Sequence, residues 1–135
     1  MKDFRQQVVR RPPDRSEVTA LLRQGGLAKA LRRARATGFV ISQEEIDATA
    51  KAMFVAGRAG ELLAMIGTVD VKLPYDTRTL LIRAFERRDH HTFLKQALRL
   101  NATAGFEREI QQAITALERR APIEASAWRR KFSAM

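Results

Sequence analysis

One apolar pattern recurs four times along this 135-residue chain, and it constrains the fold more than any other feature. Each copy has an anchor residue, with apolar or small residues four and one before it and eight and nine after it. The last copy breaks the pattern only at its final position, Ser126. The anchors lie 31 or 32 residues apart, at Leu22, Phe54, Phe85 and Leu117. Since this spacing puts side chains on one face of each of two successive helices, it predicts four helix–turn–helix copies.

Capping and turn residues predict where the helices begin and end. Start signals are the capping box of Ser42 and Glu45, an N-cap at Asp76, and Pro122 in a first helical turn. Helix ends and turns are expected at 24–26, 37–38, 56–57, near 67, 87–89, 104–105 and 119–121. The alternation of Val69, Val71 and Leu73 allows a short extended piece, but the sequence offers it no partner strand.

These signals together predict an all-α protein. Helix–turn–helix copies at a fixed period are typical of an α-solenoid, because each copy buries its apolar face against its neighbour. We expect a right-handed α-solenoid of about four repeats over residues 16–135, with a degenerate C-terminal capping repeat, after a flexible basic arm at 1–15. An ordinary eight-helix globule is the alternative. Trp128 either covers the last apolar face or docks a partner.

The charge of the chain favours a polyanionic partner. Lys and Arg total 25 against 15 Asp and Glu, a formal charge of +10, and arginine dominates. Such an excess attracts nucleic acid or anionic surfaces, although a GC-rich genome or an acidic partner protein would also account for it. The chain has no cysteine, which excludes disulfides and thiolate metal sites. No apolar run is long enough to span a bilayer, so no membrane partner is expected.

The N-terminal segment is basic but has no apolar core, so it is not a secretory signal. Its acids, Asp3 and Asp14, make it a weak mitochondrial presequence. The mitochondrial matrix and the bacterial cytoplasm both fit a basic helical protein without cysteine.

The second copy resembles a pentatricopeptide repeat or its tetratricopeptide relative. The resemblance rests on Gly38, on Ile46 through the run Ala52-Met-Phe-Val-Ala-Gly-Arg58, on Glu61-Leu-Leu63, and on the junction Leu73-Pro-Tyr-Asp76. It implies RNA binding with one base per repeat, read by paired polar side chains. This chain departs from the family in its shorter period and in its base-reading positions, which fall on Arg15, Asp47, Arg78 and Ile110. A basic module within a larger ribonucleoprotein assembly therefore suits it better than sequence-specific reading.

The candidate nucleic-acid-binding residues are mostly paired arginines. Two of the pairs occupy equivalent turns, and in a stacked array equivalent turns lie along one edge, so with Arg58 they predict a basic ridge that neutralises phosphates. The alternative is a solvated edge balanced by Glu86, Asp89 and Glu118. The candidates are Arg32, Arg33, Arg58, Arg87, Arg88, Arg119, Arg120, Arg129, Arg130 and Lys131, and the pair Arg10–Arg11 lies in the arm.

No pattern in the sequence indicates catalysis. The adjacent His90 and His91 would point apart on a helix and are interpreted as surface or turn histidines rather than metal ligands. We expect no metal, cofactor or small-molecule substrate. The favoured hypothesis is an RNA-associated helical-repeat module with RNA and protein partners, and the alternative is a protein–protein scaffold without nucleic acid.

Overall fold

The computed structural model describes residues 15–134, and every regular element in that range is an α-helix. The helices are α1 (Arg15–Arg23), α2 (Leu27–Thr37), α3 (Gln43–Val55), α4 (Ala59–Met65), α5 (Thr77–Glu86), α6 (His90–Arg99), α7 (Glu107–Glu118) and α8 (Pro122–Ser133). The prediction of an all-α protein is thus confirmed. Helix α1 begins at Arg15, which the sequence interpretation assigned to the arm, and the rest of that arm lies outside the described residues.

The chain forms two compact units, divided after Ala52. In the N-terminal unit α1 packs against α2, and the apolar faces of the two helices bury Val18, Leu27 and Ala30. In the C-terminal unit α4 packs on both α5 and α6, and α6 packs on both α7 and α8. Helices α4 and α6 thus each contact both helices of the copy that follows.

Two of the predicted apolar columns are buried in all four copies. The residue four before the anchor is 0–2% exposed in every copy, and the residue eight after it is fully buried in every copy. The first column consists of Val18, Ala50, Leu81 and Ala113, and the second of Ala30, Leu62, Phe93 and Ala125. The repeat-like character read from the sequence is therefore present in the packing.

The helix boundaries repeat as regularly as the buried columns. Each copy's first helix ends one residue after the anchor, and its second helix begins five residues after it. The ends are Arg23, Val55, Glu86 and Glu118, and the starts are Leu27, Ala59, His90 and Pro122. Every copy is therefore built around a three-residue turn.

The first three turns share one hydrogen-bonding pattern. Gly25, Gly57 and Arg88 have φ values of 73°, 81° and 59°, in the left-handed region. In each turn the next residue's N–H donates to a carbonyl five positions earlier, as from Gly26 to Leu21 (2.8 Å) and from Asp89 to Ala84 (3.1 Å). This is the Schellman motif, which satisfies the last carbonyls of a helix. The fourth turn differs: the Ala121 N–H donates to the carbonyl of the anchor Leu117 (2.7 Å).

Three predicted start signals are confirmed. The Glu45 N–H donates to the Ser42 hydroxyl (3.2 Å), and the Ser42 N–H donates to the Glu45 carboxylate (3.4 Å), a reciprocal capping box. Asp76 accepts from the Thr79 N–H at 2.8 Å, and Pro122 stands in the first turn of α8.

One expectation for the loops is wrong, and one possibility is not realised. Helix α6 ends at Arg99 rather than at 104–105, because Asn101 adopts the left-handed conformation (φ 52°) that terminates it and Asn tolerates that region. The segment 68–74, for which the sequence allowed a short extended piece without a partner strand, forms no strand within the described range. The Val71 N–H donates to the Val69 carbonyl (2.9 Å), a tight local turn.

The last helix buries its tryptophan inside the C-terminal unit. Trp128 is 6% exposed and packs edge-on against His91, with ring centroids 5.9 Å apart. Of the two roles considered for Trp128, the structure shows the first: the side chain is buried against other residues of the C-terminal unit. Ile123, an apolar residue in the first turn of this helix, is 85% exposed. No helix within residues 15–134 combines the length and the apolarity that crossing a membrane requires.

Candidate nucleic-acid interface

The second and third turns lie side by side in the C-terminal unit. The Arg87 Nη2 atom donates to the Ala56 carbonyl at 3.2 Å, across 31 positions of sequence. Its guanidinium covers Gly57 so closely that a Cβ atom there would overlap it. The helices that follow these turns also approach closely, since a Cβ at Gly60 would lie 2.6 Å from the Thr92 methyl group. Small residues in the second turn thus make room for the third.

The third and fourth turns are brought together by the helices that begin from them. His91, at the start of α6, has its Nδ1 atom 2.7 Å from the Glu124 carboxylate at the start of α8. Turns 56–58, 87–89 and 119–121 therefore follow one another along one edge of the C-terminal unit, which we call the turn edge. The predicted basic ridge corresponds to this edge.

Two of the five predicted ridge arginines are engaged by the protein itself. Arg58 forms a bidentate ion pair with Glu61, one arm of which measures 2.8 Å. Hydrogen bonding from Arg58 holds the pKa of Glu61 below its ordinary value. Arg87 lies across the second turn, as described above. Both side chains therefore stabilise the turns through contacts within the protein.

The other three ridge arginines remain open to a ligand. Arg88, Arg119 and Arg120 are exposed, and none of them forms an ion pair with an acid in residues 15–134. Of the acids expected to balance this edge, Glu118 pairs instead with Arg129 on α8, and Asp89 accepts weakly from the Thr92 N–H at 3.5 Å as an N-cap. The turn edge thus has three exposed arginines without ion pairs to a described acid at its third and fourth turns.

The pKa of His90 reflects charges from both the third and the fourth turn. Partial burial lowers its pKa, and the charges of Arg120 and Arg88 lower it further, against an opposing effect of Asp89. The influence of Arg120 on a residue in the neighbouring turn agrees with the contact between His91 and Glu124.

The remaining candidates are scattered, and several have partners. In the N-terminal unit Arg33 pairs with Glu17 (3.2 Å), whereas Arg32 is exposed. On α8, Lys131 lies 4.7 Å from the centre of the Trp128 ring, and Arg130 is exposed. The pair Arg10–Arg11 lies outside the described residues. The structure thus brings together only the turn arginines.

Arg99, which is not among the predicted binding residues, holds two successive copies together. Arg99 donates to the carbonyls of Leu63 (2.8 Å) and Ile66 (3.2 Å) at the C-terminal end of α4. Its position in the last turn of a helix gave no signal of this contact, since the acceptors lie in the preceding copy. Part of the basic excess therefore serves packing.

The positions that the pentatricopeptide resemblance would use for base reading are all engaged within the protein. Arg15 pairs with Glu45 at 3.8 Å and lies over Phe39, and Asp47 accepts from Gln43 at 2.7 Å. In the later copies, Arg78 lies over the ring of Phe106, and Ile110 is 3% exposed.

Other candidate sites are sparse in the part of the chain that the structure describes. It contains no cluster of three or more His, Cys, Asp or Glu residues that could hold a metal ion. An open groove of about 390 Å³ runs along α7, lined by Gln111, Gln112, Thr115, Ala116 and Arg119. Arg119 thus belongs both to this groove and to the turn edge.

No known family model, curated protein or solved structure matches the chain.

Proposed function

We propose that this protein is a non-catalytic, basic helical-repeat module that binds the phosphate backbone of RNA through the turn edge, by itself or as a structural component of a larger ribonucleoprotein assembly. The observation that carries the proposal is the alignment of Arg88, Arg119 and Arg120 on adjacent turns, without ion pairs to any described acid. Cations held in this way neutralise phosphates whatever the base sequence.

The proposal includes a right-handed, pentatricopeptide-like solenoid of about four repeats. Support comes from contacts between successive copies that join residues 31 to 36 positions apart in sequence. They join Arg87 to Ala56, His91 to Glu124, and Arg99 to Leu63. Regular contacts of this kind are what a stacked array requires. Because the four base-reading positions already have partners or are buried, the proposed binding has little sequence preference.

A salt titration tests the proposed binding to RNA. The probe is a fluorescein-labelled oligouridine, followed by fluorescence anisotropy from about 25 to about 400 mM NaCl. If the three turn arginines each neutralise one phosphate, log K falls with log[salt] with a slope of about −2 from these residues, at roughly −0.7 per phosphate for a single strand. The triple variant Arg88→Ala/Arg119→Ala/Arg120→Ala loses that part of the slope.

A matched control removes the same charge elsewhere. Arg23, Arg35 and Arg108 are exposed and form no ion pair with a described residue. Changing these three to alanine gives the same net charge as the turn variant and leaves most of the slope in place. Equal losses in the two variants would mean attraction by net charge alone. No binding at low salt would overturn the proposal.

The alternative, a protein–protein scaffold, gives a different outcome in pull-down experiments. A scaffold retains its copurifying protein after nuclease treatment and at high salt. An RNA module loses its partners under both conditions.

A further inference from the structure

The groove of about 390 Å³ along α7 is lined by polar side chains that the fold does not engage. They comprise two primary amides, a hydroxyl and a guanidinium, which belong to Gln111, Gln112, Thr115 and Arg119. All four side chains are exposed, and none of them forms a hydrogen bond, an ion pair or a ring contact with another described residue. The groove therefore offers hydrogen-bond donors and acceptors, together with one positive charge, to a ligand.

The corresponding positions of the third copy are used for packing. Leu80, five residues before the anchor on α5, is fully buried, whereas Gln112 at the same position of α7 is exposed. Two residues after the anchor, Arg87 donates to the Ala56 carbonyl, whereas Arg119 has no acceptor among the described residues. The fourth copy thus presents polar groups to solvent where the third copy packs against its neighbours.

The spacing of these residues places three of the side chains in one row on α7. Thr115 lies one helical turn from Arg119 and Gln112 lies two turns from it, at about 6 Å and about 10 Å along the helix axis. Arg119 also belongs to the turn edge, where the proposed function places the phosphates of RNA. A nucleotide with its phosphate on Arg119 can therefore lay its sugar and base along Thr115 and Gln112.

A glutamine amide favours one base over the others. Its NH₂ group donates to N7 of adenine while its oxygen accepts from the N6 amino group. Guanine presents two acceptors at this edge and uracil presents one, so neither forms both bonds with the amide. Unstacked bases of single-stranded RNA leave this edge accessible.

We propose that the groove along α7 binds one adenine nucleotide of the RNA strand, with its phosphate on Arg119 and the N6 and N7 atoms of its base on the Gln112 amide. The proposal rests on the proposed RNA binding and adds one base contact beside the turn edge. The base preference is confined to this nucleotide, and the turn arginines hold the rest of the strand whatever its sequence.

Three fluorescein-labelled RNAs of equal length and charge test the proposal by fluorescence anisotropy at low salt. They are oligouridine, a strand of UUA repeats and a strand of UUG repeats, and their equal numbers of phosphates make the backbone contribution the same. The unaltered protein is expected to bind the UUA strand roughly fivefold or more tightly than the other two, the lower end of what one bidentate contact to a base contributes.

Two neighbouring glutamines supply a matched pair of variants. Gln112→Ala is expected to lose the preference for the UUA strand. Gln111→Ala is expected to retain it, because residue 111 lies about 100° around the helix from residue 112 and off the row that leads to Arg119. Alanine is a good helix former, so both variants keep α7 intact. Arg88→Ala, on the third turn, should weaken the binding of all three strands by similar factors.

The outcomes separate this inference from the proposed function. Equal affinities for the three strands, or a preference that survives in Gln112→Ala, would overturn the inference and leave the proposed phosphate binding in place. Loss of the preference in Gln111→Ala as well would overturn the assignment of the base to Gln112. If none of the three strands binds at low salt, the proposed function fails and the inference fails with it.

Discussion

The turn at 56–58 and the turn at 87–89 follow the same backbone path but hold different side chains at each corresponding position. Gly57 and Arg88 both adopt the left-handed conformation, with φ values of 81° and 59°. Their N–H groups donate to the corresponding anchor carbonyls at 3.1 Å and 2.9 Å. The glycine is covered by a neighbouring guanidinium, whereas the arginine presents its own side chain to solvent.

This comparison shows that packing constrains the residue at position 57 but not the residue at position 88. In the second turn a side chain at position 57 would collide with Arg87, so packing between copies requires glycine. In the third turn Arg88 is exposed, and an L-residue in this conformation costs about 1–2 kcal/mol relative to glycine. Arg88 thus presents a positive charge to solvent at a position where glycine would give a more stable fold. Such a local conflict is typical of functional positions.

The largest effect is expected from Gly57→Ala. The substitution imposes the left-handed penalty and displaces the Arg87 guanidinium from the Ala56 carbonyl, so it should destabilise the C-terminal unit by about 2–3 kcal/mol. Urea unfolding followed by the fluorescence of the single tryptophan, Trp128, measures this unit. Gly67→Ala is the control, because Gly67 has the same φ of 81° and open space around it. Equal losses at the two glycines would show that the contact with Arg87 contributes nothing.

The second effect is a gain in stability at the expense of binding. Arg88→Gly relieves the left-handed strain and should stabilise the C-terminal unit by about 1 kcal/mol. The same change should reduce the salt slope for oligouridine by roughly one phosphate contact. Arg88→Ala separates the two consequences, since alanine removes the charge and keeps the strain. If Arg88→Gly weakened folding instead, the arginine would have a structural role that its exposure does not indicate.

A smaller effect is expected at the next position of the turn. Asp89 caps α6 and directly follows Arg88 in the turn. Asn is as good an N-cap as Asp, so Asp89→Asn should fold normally and bind oligouridine a few-fold more tightly, because one repulsive charge is removed. Asp89→Ala should bind as Asp89→Asn does but lose about 0.5 kcal/mol of stability, the low end for a cap whose hydrogen bond is long. Unchanged affinity in both variants would place the phosphate away from this turn.

The sequence was sufficient for what depends on neighbouring residues. The capping box at Ser42, the glycine at position 57 and the buried Phe93 follow from local propensity and from the period of the apolar positions. The i, i+3 spacing of Arg58 and Glu61 was likewise visible and predicts their ion pair. Contacts within one or two turns of helix leave a signature in the order of residues.

The contacts between copies left no such signature. Arg87 and Arg88 are identical side chains at adjacent positions, and only the packing of the third turn on the second decides which of them reaches the Ala56 carbonyl. The prediction treated both as ligands of one ridge. The exposure of Ile123 is of the same kind: it is an apolar residue in the first turn of α8, yet it is 85% exposed, and only the packing of helices decides this.

The smallest effect concerns pH and stability. The pKa of His90 is lower in the folded protein than its ordinary value of about 6.5, through burial and then through Arg120 and Arg88. Between the two pKa values the unfolded chain binds more protons, so folding weakens as the pH falls through the ordinary value, and the loss is complete below the folded value. Each unit of difference amounts to about 1.4 kcal/mol before solvent screening, which reduces it at this half-buried site.

Urea midpoints followed by circular dichroism at about pH 7.5 and pH 5 should therefore differ less in His90→Gln than in the unaltered protein, with His91→Gln retaining the larger difference. Identical pH responses in the unaltered protein and His90→Gln would mean that folding does not lower the pKa of this imidazole.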